Sequence, residues 1–166
     1  MHITPANYKE RLAAFRQAAQ QAGIKITPQR LEIFRQVVSS DTHPTADEIH
    51  RRIRKKLPTV TLDTVYRTLW LLADLGLLNT VGLRDDSIRF DANLNDHHHF
   101  RCERCGAILD FTSAELSGLA LPPELEEYGS TRSVHIEVRG ICAKCLSKLP
   151  GRPGTDRSST NKATKE

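Results

Sequence analysis

The chain has 166 residues, 39% hydrophobic and 27% charged, the balance of a soluble globular protein of one domain or two small ones. No apolar run approaches the roughly 18 residues that span a bilayer, and no apolar segment follows the first charges, so neither a membrane partner nor a secretory signal is expected and a cytoplasmic protein is. A net charge of +4 and a pI near 9.0 permit a nucleic-acid partner without requiring one.

From Tyr8 to Ala22, apolar residues recur at Leu12, Phe15, Ala18, Ala19 and Ala22, a helical spacing that Gly23 ends. Thr27-Pro28 reads as an N-cap with proline at the first helical position, and Leu31, Ile33, Phe34, Val37 and Val38 supply the buried face of that second helix. After the turn at Asp41-Thr-His43-Pro44, Thr45 and Glu48 form a capping box for a third helix running to about Lys56, with Ile49 and Ile53 inward. Leu57-Pro58 breaks it. Thr61 or Thr59 caps a fourth helix to Leu75, with Val65, Leu69, Leu72 and Leu75 on its core side and Gly76 closing it. Residues 77–83 and 88–91 read as two strands turned by Asp85-Asp86-Ser87. Short helices followed by a hairpin are the order of a winged helix-turn-helix; a helical domain without nucleic acid is the alternative on pattern alone.

After Asp91 the character changes. Residues 98–103 and 107–111 read as strands around a Cys-x-x-Cys turn, 113–121 as a short helical region, 131–141 as a long alternating strand and 143–149 as a terminal helical turn or two. The tail from Pro150 has almost no apolar residue and reads as disordered. The expected organisation is residues 1–90, residues 91–149 and a tail of residues 150–166.

All four cysteines lie in two pairs, Cys102/Cys105 and Cys142/Cys145. Each pair can grip one side of an ion through a tight turn, and Gly106 suits the first knuckle. Four thiolates match the soft tetrahedral preference of structural Zn(II), with a disulfide, a redox pair or an iron–sulfur cluster as alternatives. A closed four-thiolate site has no open position, so its expected role is folding.

A second cluster has harder donors. His97 and His99 are two apart and share one face of a strand, while His98 points away. Asp91 closes the hairpin, Asp110 can fold back from beyond the cysteine turn, and His43 lies at the helix–helix turn. Three imidazoles and two carboxylates suit Fe(II), Mn(II) or Zn(II). The bland alternative is a solvated His-rich loop.

Several segments together resemble the ferric uptake regulator family of metal-dependent bacterial repressors: Thr27-Pro28-Gln29-Arg30, His43-Pro44-Thr45-Ala46-Asp47-Glu48-Ile49, Thr64-Val65-Tyr66-Arg67-Thr68-Leu69, Arg89-Phe90-Asp91, His97-x-His99 and both cysteine pairs. The resemblance covers about residues 10 to 148. It implies an α+β homodimer in which an N-terminal winged helix-turn-helix binds palindromic operator DNA and a small α/β domain dimerises. The peroxide-sensing branch uses three histidines and two aspartates, which by position are His43, Asp91, His97, His99 and Asp110; the iron-sensing branch usually has glutamate at Asp91. The resemblance further implies regulatory Fe(II) or Mn(II), with hydrogen peroxide as the signal that oxidises His43 or His97 in the Fe(II) form. Tyr66 and Arg67 match DNA-contact positions, Thr61 and Thr64 could reach phosphates or base edges, and Arg30 and Lys25 phosphates. Asp63 departs from the small residue of many relatives. A third metal site of some members would use positions that hold Ser117 and Val134 here, with His135 one residue off.

Two other functions compete: a repressor responding to iron or manganese supply without oxidation chemistry, and an enzyme with His43, His97 and His99 around a catalytic metal. No nucleophile or general-base constellation beyond those ligands supports the enzyme.

Overall fold

The computed structural model describes residues 5–40, 42–82, 88–131 and 134–149. Four helices lead: α1 (Pro5–Gln21), α2 (Pro28–Val38), α3 (Ala46–Ile53) and α4 (Leu62–Asp74). Threonine opens three of them. The hydroxyls of Thr27, Thr45 and Thr61 accept from the N–H three residues on, at Arg30, Glu48 and Thr64, and satisfy donors that the first helical turn leaves unpaired. Thr45 and Glu48 complete the capping box, and Thr61, not Thr59, is the cap of α4. Gly23 and Gly76 take positive φ beyond the ends of α1 and α4, where a side chain would be strained.

A two-stranded antiparallel wing follows, β1 (Asn79–Val81) with β2 (Arg89–Asp91). The second sheet holds β3 (His98–Cys102) between antiparallel β4 (Ile108–Phe111) and parallel β5 (Glu137–Gly140). Single-turn helices α5 (Ala114–Ser117) and α6 (Leu125–Tyr128) fill the connection, and α7 (Ala143–Leu146) carries the last cysteine. This is an α+β winged helix-turn-helix joined to a small α/β unit.

Several boundaries differ from the expected ones. Helix α1 begins at Pro5, α3 ends at Ile53 and β1 spans only Asn79–Val81 among the described residues. The alternation over 131–141 yields only Glu137–Gly140, because β3 is the one strand available to pair with it and the ladder runs from His99 to Cys102. The helical region over 113–121 stops at Ser117 and buries no residue that would hold it longer; α6, beyond Pro122-Pro123, was not expected. The Asp85-Asp86-Ser87 turn and the tail from Pro150 lie outside the described residues.

Apolar burial is lopsided. Phe15, Phe34, Ile49, Leu69, Leu72 and Phe90 belong to one continuous core under the four helices and the wing. The second cluster is Cys102, Cys142 and Cys145, with Phe100 and Ala107 packed against it. Sulfur thus stands where a larger domain would place leucine or valine, the composition of a unit that needs a metal to fold.

Candidate metal centres

The thiolate centre is built by two turns. Cys102 N–H donates to Ala107 O at 2.8 Å and Gly106 N–H to Cys102 O at 2.8 Å, closing a knuckle that needs the positive φ of Gly106. The parallel β3–β5 pairing sets Cys102 opposite Gly140, which brings Cys142 and Cys145 beside the knuckle. The four sulfurs lie within 4.8 Å of one another. Cys105 and Cys142 sulfurs are 3.8 Å apart and all four thiols are free. A disulfide needs about 2.05 Å, whereas tetrahedral Zn(II) with bonds of about 2.3 Å puts its sulfurs about 3.8 Å apart. The Cys142 N–H, 3.3 Å from the sulfur of Cys102, is the largest cause drawing that thiol down to about 6. Cys145 is pushed up to about 12, first by its hydrogen bond with Cys105 and then by burial. A thiol drawn low beside one pushed high, with two further sulfurs in reach, is a donor set that a dication completes.

The second centre gathers side chains from four places. His43 comes from the α2–α3 turn, Asp91 from the end of β2, His97 and His99 from the entry and body of β3, and Asp110 from β4, directly across the ladder from His99. His43 Nε2 is 2.9 Å from Asp110 Oδ1 and 3.5 Å from Asp91 Oδ1. His97 Nε2 is 3.0 Å from both Asp91 Oδ2 and His99 Nε2, and His99 Nε2 is 3.7 Å from Asp110 Oδ1. Donors of an octahedron with bonds of about 2.1 Å sit about 3.0 Å from their neighbours and about 4.2 Å from the donor opposite. The separations span that range.

These contacts do not substitute for an ion. His43 Nε2 and Asp91 Oδ2 are fully buried beside the other donors, yet neither has a hydrogen-bond partner, and His43 Nδ1 has none either. Only Asp110, about one-third exposed, opens the cluster to solvent. Burial lowers the His43 pKa below the ordinary imidazole value, against the pull of Asp91 and Asp110. For Asp91 burial works upward, but the nearby His99 imidazole and the Asn93 N–H, 2.7 Å from Oδ1, outweigh it and hold the carboxyl low. The His97 Nδ1–H donates to Asn95 O at 2.7 Å, which fixes the ring with Nε2 turned toward the cluster. Three imidazoles and two carboxylates gathered in this way are a donor set of the hard-to-borderline kind, and the residues fit a divalent cation. His43 holds φ at 45°, the only positive φ at a non-glycine among the described residues, a strain of roughly 1–3 kcal/mol.

The structure does not assemble the third site. Val134 and Ser117 offer no imidazole or carboxylate; Ser117 Oγ instead lies 3.4 Å from His98 Nε2, and His135 Nδ1 lies 3.4 Å from the backbone oxygen of His97.

On the helical face, Arg30, Thr64 and Arg67 line one groove between the start of α2 and α4, with Asp63. Arg67 Nε is 2.9 Å from Asp63, both exposed. The Thr61 and Thr64 hydroxyls are 2.9 Å apart, and Arg30 donates to the backbone oxygen of Lys25. Tyr66 packs partly against the core, and neither it nor Lys25 lines the groove. Sequence reasoning passed over the neighbouring basic face of α3, where Arg51, Arg52 and Lys55 stand together; the basic run from His50 to Lys56 was its signal.

A winged helix-turn-helix whose one turn feeds a hard-donor cluster shared with a thiolate-pinned sheet defines a metal-responsive regulator. A profile of the ferric uptake regulator family matches residues 21–138. A peroxide-responsive repressor PerR of Staphylococcus aureus strain Mu50 is 38% identical over 141 residues, covering 84% of this chain and 92% of the relative. Among solved structures, the ferric uptake regulator Fur of Helicobacter pylori, described as having three functional metal binding sites, aligns with a TM-score of 0.66 at 23% identity, over 83% of this chain and 93% of that one. A zinc-bound manganese uptake regulator aligns with a TM-score of 0.57 at 25% identity, over 78% and 98%. The chain belongs to the ferric uptake regulator family. Its relatives are regulators and not enzymes, which sets aside the catalytic-metal alternative.

Proposed function

We propose that the chain is a metal-dependent transcriptional repressor that binds palindromic operator DNA as a homodimer and releases it when hydrogen peroxide oxidises a ligand histidine. The observation that carries this is the convergence of His43, Asp91, His97 and His99, their donor atoms within 4.8 Å of one another, from both halves of the chain, with Asp110 Oδ1 beside them at 2.9 Å from His43 Nε2. Residues 1–90 are the DNA-binding domain, 91–149 the metal-binding dimerisation domain, and Asp91 is the hinge. Zn(II) on Cys102, Cys105, Cys142 and Cys145 holds the second domain folded; Fe(II) or Mn(II) is the regulatory ion.

His43 is the one ligand of the five that lies among the helices, so the orientation of the recognition helix depends on where its imidazole is held. Filling the cluster shifts the population toward the arrangement in which two copies of α4 enter successive major grooves. Tyr66 and Arg67 read bases, Thr61 and Thr64 touch bases or phosphates, and Arg30 and Lys25 grip phosphates. The partner copy fits the sheet. Leu109 and Val138 flank Phe100 across the three strands, and both flanking residues are exposed. An apolar row across a sheet whose own core is four sulfurs suits a second copy of the same sheet. No helix among the described residues is long and apolar enough to cross a membrane.

Fe(II) held by these residues would supply the cleavage of the peroxide O–O bond; in the net reaction one peroxide oxygen adds to an imidazole carbon, a two-electron oxidation of the ring matched by reduction of the other oxygen to water, and Mn(II) would support repression without that chemistry. By position in the family resemblance His43 and His97 are the candidate targets, and both rings stand edge-on to His99. The test is operator binding by the Fe(II)- and Mn(II)-loaded proteins before and after peroxide, with peptide masses. Loss of binding in the Fe(II) form alone, with one oxygen on the His43 or His97 peptide, is expected. Unchanged binding and unmodified histidines would leave a repressor that responds to iron or manganese supply.

A further inference from the structure

We propose that Arg89 is a positioning residue of the regulatory centre, clamping the His43 turn against the start of α3. The inference rests on the reading of His43 as a ligand of the regulatory ion. Strand β2 alternates: Phe90 is fully buried in the core, so Arg89 and Asp91 share the opposite face. Those two neighbours hold the two ends of His43. Asp91 faces its imidazole, with Oδ1 3.5 Å from Nε2, and Arg89 takes its backbone, donating from NH1 to His43 O at 3.1 Å across 46 positions of sequence.

The turn also lies along the strand, with Phe90 N–H donating to Pro44 O at 3.0 Å and a bridge between Thr45 and Arg89. The same guanidinium reaches two further places. Its NH1 stands 3.7 Å from Glu48 Oε2, the oxygen that caps α3 by accepting from Thr45 N–H. Its NH2 lies over the knuckle, where a Cβ placed on Gly106 would come within 4.0 Å of it. One planar cation therefore connects the turn carbonyl with the start of α3, its NH2 lying near the knuckle. Such a fork has five donors in fixed directions; an ammonium reaches one of those places at a time.

The need for a clamp is local. His43 sits in a left-handed conformation that its backbone would leave if released, and leaving it would swing Nε2 away from Asp91 and Asp110. Groups that hold a ligand in place typically contribute about 10- to 100-fold to metal affinity. Loss of Arg89 should lower affinity for the regulatory ion by that factor and leave the zinc in place, since no thiolate depends on it. It should also move oxidation from the His43 peptide to the His97 peptide, because His97 is oriented independently through Asn95 O.

The experiment compares wild type, R89M, R89K and H43A as full-length zinc-loaded proteins. Mn(II) affinity is measured from the paramagnetic signal of the free ion, zinc content by release to a chelator, and oxidation by peptide masses after Fe(II) and peroxide. Weakened Mn(II) binding in R89M, a value between the two in R89K, full zinc and a shift of oxidation toward His97 are expected. Wild-type affinity and an unchanged oxidation ratio in a fully zinc-loaded R89M would overturn the proposal. Should R89M lose zinc or fail to fold, wild-type affinity in folded R89K would overturn it equally. Wild-type Mn(II) binding by H43A would instead overturn the ligand reading on which the proposal rests.

Discussion

Cys105 is the exposed member of the four thiols, so Cys105→Ser removes a metal bond with little change in packing. What the metal contributes can be set against what else holds the second half. Among the described residues from 97 to 149, the buried apolar side chains beyond the three cysteines reduce to Ile108, with Phe100 half-buried beside the cluster. Burying those two fully would stabilise by roughly 3–6 kcal/mol in all. The three strands order 5, 4 and 4 residues, and each ordered residue costs about 1–2 kcal/mol of backbone freedom, which already exceeds that gain. Structural zinc in small domains contributes about 10–16 kcal/mol and is the one interaction here large enough to reverse the sign. The Cys105→Ser protein should therefore lose zinc and lose amide-exchange protection across β3, β4 and β5. Helices α2 to α4 should keep theirs, since their core is hydrocarbon. Exchange mass spectrometry with metal quantification reads both. Wild-type protection of the three strands in a zinc-free sample would refute the view that sulfur and metal replace a core.

The remaining expectations concern charge. Asp63→Asn releases Arg67 from its 2.9 Å ion pair; both side chains are exposed, so stability should move by less than about 0.5 kcal/mol, while operator affinity rises and its salt slope steepens by about one ion. A salt titration with unchanged slope and affinity would mean that Arg67 makes no phosphate or base contact. His43, lowered by burial, affects the metal-free protein through pH. Its neutral form contributes full stability above about pH 6.5, and that contribution is lost as pH falls through the lower folded value, because the unfolded chain takes the proton first. Urea midpoints between about pH 7 and pH 5 should fall more steeply in wild type than in His43→Gln, and equal slopes would contradict the burial.

Much of this architecture was legible because the signals were local. Thr27-Pro28, the Thr45/Glu48 box and the glycines at 23 and 76 each specify a helix end through chemistry within four residues, and each stands where the sequence placed it. Pairing was less legible. The alternation over 131–141 indicated strand character, but its usable length was set by β3, some 35 residues earlier in the chain. The donors of the hard site could be enumerated from residue type and spacing, and His97 and His99 do share a face. The left-handed φ of His43 could not be foreseen from a His-Pro dipeptide. Nor could Arg89, because its partner is a backbone oxygen that every residue possesses; the available hint was its place two before Asp91 on a strand whose middle residue had to be buried.

The site also sets a limit on how strongly metal and DNA can influence one another. Asp91 ends β2, whose Phe90 lies in the helical core, so an ion on Asp91, His97, His99 and Asp110 alone ties the second sheet to the wing but not to the α2–α3 turn. The larger part of the coupling between ion and operator is then expected to pass through the bond to His43, the one ligand among the helices. Linkage requires the factor by which Mn(II) tightens operator binding to equal the factor by which the operator tightens Mn(II) binding. In wild type both ratios should be large and equal. In His43→Ala at saturating Mn(II) both should fall by the same factor, even though the four remaining ligands still hold an ion. Paired titrations of operator and metal measure all four constants. Undiminished coupling in that variant would mean the signal travels across the contact between the wing and the second sheet, and that His43 serves affinity without serving communication.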